Sequence, residues 1–183
     1  MLNIKYVDAS TLKVPDWKCT HTLRPDLLVI SSSLLEFGFI EPIHVLKSTG
    51  EIIDGSERFK LATNVSRIME KVKGKIPVIE HDITQLEAMM LHLRLNRGRG
   101  FLVAKDVSKV VRKLKQSGKY GKSQFDSLLC MKTDELELML DGSIIKTRKI
   151  SEHTYSRAWV PIEAPAGTVD NGPSIERPPN GDR

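Results

Sequence analysis

The segment from Glu51 to Ala62 constrains the fold most, because it combines a short apolar strand, a glycine turn and a helix start in that order. The first backbone N–H groups of a helix lack partners and carry the positive end of its dipole, so a phosphate can bind there. Gly55 permits a sharp turn and close approach of a ligand, and Arg58 follows one turn into the helix. The alternative is an ordinary turn followed by a surface arginine.

A second polar segment runs from Asn96 to Gly100 and contains an amide, two guanidinium groups and two glycines. It follows an amphipathic pattern over Thr84 to Arg94, which predicts a helix whose C-terminal end delivers this segment as a flexible loop. Arginine and asparagine side chains suit phosphate and ribose oxygens. We therefore expect this loop to contribute to the same site as the glycine turn.

Three motifs carry a family resemblance: Gly38-x-x-x-Pro42-Ile43-x-Val45, residues 52–62, and Leu95-Asn96-Arg97. Their order and spacing resemble the ParB/sulfiredoxin-like superfamily over about residues 1 to 115. In ParB partition proteins the last two motifs together hold the triphosphate of CTP. The resemblance implies a ParB N-terminal-like domain that binds a nucleoside triphosphate, ATP or CTP, with Mg²⁺. The nucleotide contacts that it implies are Gly55, Ser56, Glu57, Arg58, Asn96 and Arg97.

Two departures from the family pattern reduce the range of activities expected of this chain. Ser56 stands where sulfiredoxins have a cysteine, and a hydroxyl cannot replace a reactive thiolate, so sulfinic-acid reductase activity is not expected. Glu57 stands where ParB has an arginine, and its carboxylate would repel phosphates unless a metal intervenes. The form Asp54-Gly55-x-x-Arg58 is closer to the branch with ATP-using members, including a free-serine kinase and proteins described as nucleases.

Two function classes therefore remain open. The first is a nucleotide-binding, DNA-associated protein in which a bound triphosphate regulates the binding of DNA or another partner. The second is an enzyme of the same fold: a nucleotide triphosphatase, an ATP- or ADP-dependent phosphotransferase acting on a small hydroxyl substrate, or a ParB-like nuclease. Families with this fold are frequent on plasmids and phages, so the resemblance also implies a mobile-element origin.

Carboxylates are the candidates for catalysis, as general bases or as Mg²⁺ ligands. They are Asp54, Glu57, Glu36 and Glu41. Asp54 and Glu57 are the candidates for Mg²⁺. The alternatives are a solvated Glu36 on a helix surface and a Glu57 that only caps the backbone. Three further histidines are scattered without metal-ligand spacing, and we interpret them as structural or exposed: His44, His81 and His92.

Basic residues are concentrated between Arg94 and Lys122, where ten basic residues and one acidic residue give a net charge of +9, against +5 for the whole chain. Such a block is either a solvated helix face or a surface that contacts a nucleic-acid backbone. The resemblance favours the second interpretation. The predicted nucleic-acid contacts are Arg99, Lys105, Lys109, Arg112 and Lys113.

Three short helices are predicted over Lys105–Ser117, Ser123–Cys130 and Thr133–Leu140, which resembles a helix-turn-helix. In ParB proteins such a module follows the nucleotide domain and contacts DNA. The helix in the reading position is acidic near residues 134–140, so it has the wrong sign for phosphates. The module therefore either contacts DNA through its basic first helix or serves as a homodimer or protein-docking element.

The predicted fold class is α+β: a small mixed sheet of the ParB/sulfiredoxin-like kind with flanking helices, then a helical module and a disordered C-terminal tail. The predicted divisions are residues 1–103, 104–142, a basic and aromatic segment over 143–160, and a proline-rich tail over 161–183. Strands are expected over Met1–Val7, Ile43–Leu46, Glu51–Asp54 and Lys75–Glu80, and a helix over Pro25–Phe37 that Gly38 ends.

The sequence lacks the patterns expected of secreted, membrane-spanning or disulfide-bonded proteins. The N-terminus lacks the apolar stretch of a signal peptide, and no run approaches 18 apolar residues, so a cytoplasmic protein without a membrane partner is expected. Cys19 and Cys130 lie far apart without a CxxC pattern, so free thiols are expected.

Overall fold

A computed structural model describes residues 3–99 and 102–141. It confirms the predicted α+β class, a small mixed sheet flanked by helices. The strands are β1 (Ile4–Asp8), β2 (Ile43–Leu46), β3 (Ile52–Asp54) and β4 (Lys75–His81). The helices are α1 (Arg24–Phe37), α2 (Ser56–Asn64), α3 (Ser66–Lys71), α4 (Gln85–Arg99), α5 (Ala104–Gln116), α6 (Lys122–Leu129) and α7 (Thr133–Leu140). A short 3₁₀ helix, Ala9–Thr11, follows β1.

The sheet has the strand order β1-β4-β2-β3. β2 runs parallel to β4, with Ile43 opposite Val78, and the other two pairings are antiparallel. The mixed sheet is therefore as expected. The basic and aromatic segment predicted over 143–160 and the tail predicted over 161–183 lie outside the described residues, and the division of the chain at residues 103 and 104 stays a prediction.

One face of the sheet packs against α1, α2 and α3. Alternate side chains of β2 point to this face, because successive residues of a strand face opposite sides. The cluster joins the strands to Leu34 of α1, Ala62 of α2 and Ile68 of α3. Its buried strand members are Ile43, Val45, Ile52, Ile76 and Val78.

The other face packs against α4, and α4 in turn packs against α5, α6 and α7. Leu46 and Ile53 from the sheet share this cluster with Met89 of α4, Phe125 of α6 and Leu136 of α7, all almost fully buried. The three-helix segment therefore has a common core with the sheet domain. Within the described residues, no helix combines the length and apolar character needed to cross a bilayer.

The predicted loop that begins at Asn96 is wrong for residues 96–99, because α4 continues to Arg99. Asn96 is buried and its Nδ2 donates to the carbonyl oxygen of His92 at 2.9 Å, which ties the last turns of the helix together. At the other end Thr84 and Glu87 exchange hydrogen bonds in a capping box. Tertiary burial of this face outweighs the cost of about 1 kcal/mol for a helical Gly98.

The helix α2 is capped by the residue that precedes Ser56. Gly55 is the N-cap, and Ser56 is the first helical residue and makes no side-chain cap bond. The predicted end of α1 is confirmed, since Gly38 adopts φ 77° after Phe37.

Candidate functional site

A cavity of about 320 Å³ lies where the turn between β3 and α2 meets α1 and the C-terminal half of α4. This volume is within the range of small-molecule sites. Its lining includes most of the residues predicted from the two motifs: Asp54, Gly55, Ser56, Glu57, Arg58 and Asn96. The remaining lining residues are Thr20, Thr22, Asp26, Ile30, Glu41, His92 and Arg99.

The glycine turn positions the start of α2 at this cavity. Gly55 has φ 93° and ψ 16°, a left-handed conformation that L side chains rarely adopt. Its carbonyl accepts the first helical hydrogen bond, from the N–H of Phe59 at 3.0 Å. The preceding N–H groups of α2 therefore have no partner within the helix, and Gly55, Ser56 and Glu57 line the cavity.

Two arginines converge on the buried carboxylate of Asp54. The Arg99 Nη1 donates to Asp54 Oδ2 at 2.8 Å, and the Arg58 Nη2 donates to the same oxygen at 3.4 Å. The Arg58 Nη1 also donates to Glu41 Oε2 at 2.6 Å. Both guanidinium groups are thereby held at the start of α2, in positions where they can also bind an anion.

These contacts keep Asp54 ionised. Burial acts to raise the pKa of this carboxyl, but the hydrogen bond and charge of Arg99, together with the charge of Arg58, outweigh burial and lower the pKa below its ordinary value. Asp54 therefore acts as a fixed negative charge that orients the two arginines.

Glu57 is held in a second ion-pair cluster. Its carboxylate accepts from the Nζ of Lys18, whose side chain is largely buried, and lies 3.5 Å from the Nζ of Lys60. Burial acts to raise the pKa of Glu57, but the hydrogen bond and charge of Lys18 lower it overall. Burial lowers the pKa of Lys18 despite this pairing.

His92 forms part of the cavity wall as a neutral imidazole. Its Nε2 accepts from the N–H of Cys19 at 3.0 Å, so its Nδ1 carries the proton and donates to the carbonyl of Ile53 at 2.7 Å. Burial lowers the pKa of His92 despite the bond to Ile53. His92 therefore joins β3, α4 and the segment before α1, and the interpretation of this histidine as structural is supported.

Two predicted site residues are not brought into the cavity. Arg97 faces away from it and forms two hydrogen bonds with Glu135 of α7, at 2.7 and 2.8 Å. Glu36 lies exposed at the end of α1, where its carbonyl accepts from Lys71. Arg99, predicted to contact nucleic acid, lies in the cavity instead.

No sequence motif marks four further residues at the site: Lys18, Thr20, Thr22 and Asp26. The first three come from the segment between the 3₁₀ helix and α1, and Asp26 comes from the first turn of α1. Only the tertiary fold brings these residues against α2 and α4. Thr20 is positioned by a bridge to Leu102.

Two of the histidines are close in space although they are 37 residues apart in sequence. His44 on β2 and His81 on β4 stack, with Nδ1 and Nε2 2.8 Å apart, because the parallel register places these strands side by side. Burial lowers the pKa of both rings. Among the described side chains, no group of three or more His, Cys, Asp or Glu is arranged to hold a metal ion.

The basic helix α5 presents a stripe of lysines on its exposed side. Lys105, Lys109 and Lys113 recur every four residues and are all exposed. Lys109 is paired with Asp106 at 2.8 Å, whereas Arg112 is half-buried and donates to Ser108 at 2.7 Å. Four of the five predicted nucleic-acid contacts therefore lie on α5, and three of them share one face.

The acidic helix α7 is partly engaged within the chain. Glu135 is paired with Arg97, and Glu137 is paired with Lys122 at 3.0 Å. Asp134 is exposed. The protein-docking surface predicted near residues 134–140 therefore has two of its three carboxylates already neutralised.

Comparison with protein-family models gives no match. The chain is 28% identical over 159 residues to the Escherichia coli K12 protein YbdM, an uncharacterised protein, covering 85% of this chain and 75% of that protein.

Among solved structures, the chain resembles C-terminally truncated ParB from Caulobacter crescentus in complex with CTP-γ-S, at 15% identity and a TM-score of 0.44 over 81% of this chain and 91% of that one. It also resembles the same protein in complex with the centromeric parS site, at 15% identity and a TM-score of 0.47, over 74% of this chain and 70% of that one. A Pnob8-like ParB-N domain has 17% identity and a TM-score of 0.47, over 82% of this chain and 64% of that one.

Proposed function

We propose that the chain is a ParB-like, DNA-associated protein that binds a nucleoside triphosphate at the turn from Asp54 to Arg58, and that the bound nucleotide regulates binding of DNA or another partner. The observation that carries the proposal is the convergence of Arg58 and Arg99 at the start of α2, beside the left-handed Gly55, in one cavity. A helix N-terminus and two arginine forks are the groups that bind phosphates in proteins.

The charge of the cavity lining indicates that the nucleotide would bind together with Mg²⁺. The cavity is lined by two arginines and four carboxylates, so its lining has more negative than positive groups. Asp54 and Glu57 are already engaged by cations. Mg²⁺ is usually held by substrate phosphates and one or two carboxylates, and here it would enter on the phosphates and reduce their repulsion from the acidic lining. The Glu41 carboxylate is exposed, and a phosphate would compete with it for Arg58.

The enzyme alternative needs a group that moves a proton. A general base works best when its pKa lies near the operating pH. The lowered pKa values of Asp54 and Glu57 instead suit fixed charges that position cations. This favours a binding function over phosphotransferase or nuclease activity. Turnover that disappears in Asp54→Asn with the fold retained would reverse that preference.

Calorimetric titration with ATP, CTP, GTP and ADP in the presence of Mg²⁺ tests the nucleotide site. We expect binding by the wild type and a loss of at least about tenfold in Arg58→Ala and in Arg99→Ala, because each removes a charge-assisted contact. Arg67→Ala and Arg94→Ala are matched controls, since both arginines are exposed and make no ion pair within the described residues. Absence of binding to every nucleotide would refute the proposal.

Salt-dependent retention on duplex DNA tests the nucleic-acid surface. Replacing Lys105, Lys109 and Lys113 together by glutamine should lower the dependence of log affinity on log salt by about 3, roughly one for each lost phosphate contact. The triple variant Lys47→Gln, Lys73→Gln and Lys132→Gln makes the same charge change at exposed positions elsewhere. Equal losses in the two triple variants would indicate a general charge effect and would contradict a binding face on α5.

A further inference from the structure

We propose that Asp26 recognises the ribose hydroxyl groups of the bound nucleotide, so that the cavity selects ribonucleotides over deoxyribonucleotides; this inference rests on the proposed function. Asp26 lies in the first turn of α1, on the cavity wall formed with Ile30, Thr20 and Thr22.

Asp26 is the cavity carboxylate that has no ion-pair partner among the described residues. Asp54 is paired with two arginines, Glu57 with two lysines and Glu41 with Arg58. The Asp26 carboxylate makes no ion pair or hydrogen bond to any other described residue, and neither do the hydroxyl groups of the nearby Thr20 and Thr22. This wall therefore offers free acceptors, whereas the wall formed by α2 and the end of α4 offers cations.

The separation of acceptors on one wall from cations on the other favours one orientation of a nucleotide in the cavity. Phosphates are attracted to Arg58 and Arg99 and repelled by the carboxylate of Asp26, which no side-chain cation among the described residues pairs with, so they occupy the α2 wall. The next hydrogen-bond donors along the molecule are the 2′ and 3′ hydroxyl groups of the ribose. A carboxylate accepts both types of hydroxyl, as acidic residues do in dinucleotide sites. Ile30 is partly buried, and its exposed part offers apolar contact to the sugar or base.

Matched pairs of nucleotides test the inference: ATP against dATP and CTP against dCTP, each with Mg²⁺, titrated into the wild type, Asp26→Ala and Asp126→Asn. We expect the wild type to bind the ribonucleotide about tenfold more tightly. Asp26→Ala should bind both members of a pair equally, because the acceptor that distinguishes the 2′ hydroxyl from a hydrogen is gone. Asp126 is exposed on α6, and its substitution should change neither ratio.

The outcomes separate the two proposals. Equal binding of the two members by the wild type, or an unchanged ratio in Asp26→Ala, would overturn the role of Asp26 while leaving the phosphate site intact. Failure of the wild type to bind any nucleotide would overturn both proposals. A far-ultraviolet circular dichroism spectrum of Asp26→Ala that matches the wild type verifies that α1 is retained.

Discussion

The left-handed backbone of Gly55 shapes the cavity wall at the start of α2. A Cβ added there would lie 3.1 Å from Arg58 Nη2 and 3.3 Å from Ile43 Cγ1, at a φ of +93°. The side chain of Arg58 therefore lies directly over the turn, in space that only glycine leaves free. The same residue thus shapes the start of α2 and the position of its arginine.

Gly55→Ala should destabilise the fold by about 2 kcal/mol, from the positive φ and the close contacts together, and should weaken nucleotide binding by displacing Arg58. Gly98→Ala is the matched control. Gly98 lies inside α4, and an added Cβ there would meet no atom within 4 Å apart from its chain neighbours and the nearby backbone of its own helix. Gly98→Ala should therefore stabilise the fold by about 0.5–1 kcal/mol. Urea unfolding measures both changes. Equal effects at the two sites would contradict the strained turn.

The buried histidines predict a pH dependence. Burial lowers the pKa values of His92, His44 and His81 below those of the unfolded chain. Groups of this kind contribute stability above their unfolded pKa of about 6.5 and lose it as the pH falls towards the folded value. The free energy of unfolding should therefore decrease between pH 8 and pH 5.

His92→Gln should reduce that decrease, because one of the three titrating groups is removed. His21 is exposed and without partners in the described part of the chain, so His21→Gln is the control for replacing a surface imidazole. Urea unfolding at pH 5 and at pH 8 measures the difference for each protein. A profile for His92→Gln that superimposes on the wild type would show that His92 does not titrate as its burial implies.

At the scale of elements, α4 packs against both the sheet and the three C-terminal helices, α5, α6 and α7. Its last turns present Asn96 and Arg99 to the cavity, whereas Arg97 points to α7 and pairs with Glu135 in a two-bond arrangement. Adjacent residues of one helix thus serve different surfaces, because successive side chains are rotated by about 100°.

A double-mutant cycle with Arg97→Ala and Glu135→Ala should give a coupling free energy of about 1 kcal/mol or less, since both side chains are about one-third exposed (32% and 33%). The geometry also predicts that Arg97→Ala leaves nucleotide affinity unchanged, whereas Arg99→Ala lowers it. Calorimetry and urea unfolding provide the two measurements. A loss of nucleotide binding in Arg97→Ala would restore the role that the sequence motif implied.

At the scale of the whole molecule, two hydrophobic clusters share one sheet, and the second of them also contains α5, α6 and α7. A segment whose core is shared with its neighbour is expected to unfold with it. The helical segment should therefore behave as part of the same cooperative unit.

Leu136→Ala in α7 and Ile76→Ala in β4 test that expectation, since both side chains are fully buried. Each should cost about 2–5 kcal/mol, and both should lower the midpoint of a single transition. Circular dichroism and tryptophan fluorescence, followed in a Trp159→Phe background so that Trp17 reports alone, should give coincident curves. A separate early transition in Leu136→Ala would show an independent helical module.

The sequence by itself was sufficient for most helices and strands and for the glycine turn, because these depend on local periodicity and on turn chemistry. The order and spacing of its motifs, through the family resemblance, also indicated the α+β class. The tertiary structure alone decided that α4 extends through Gly98 and that Arg97 turns away while Arg99 enters the cavity. It also decided that Lys18 and Asp26 join the site. These features depend on burial and on contacts between residues far apart in sequence, and neither leaves a local pattern in the chain.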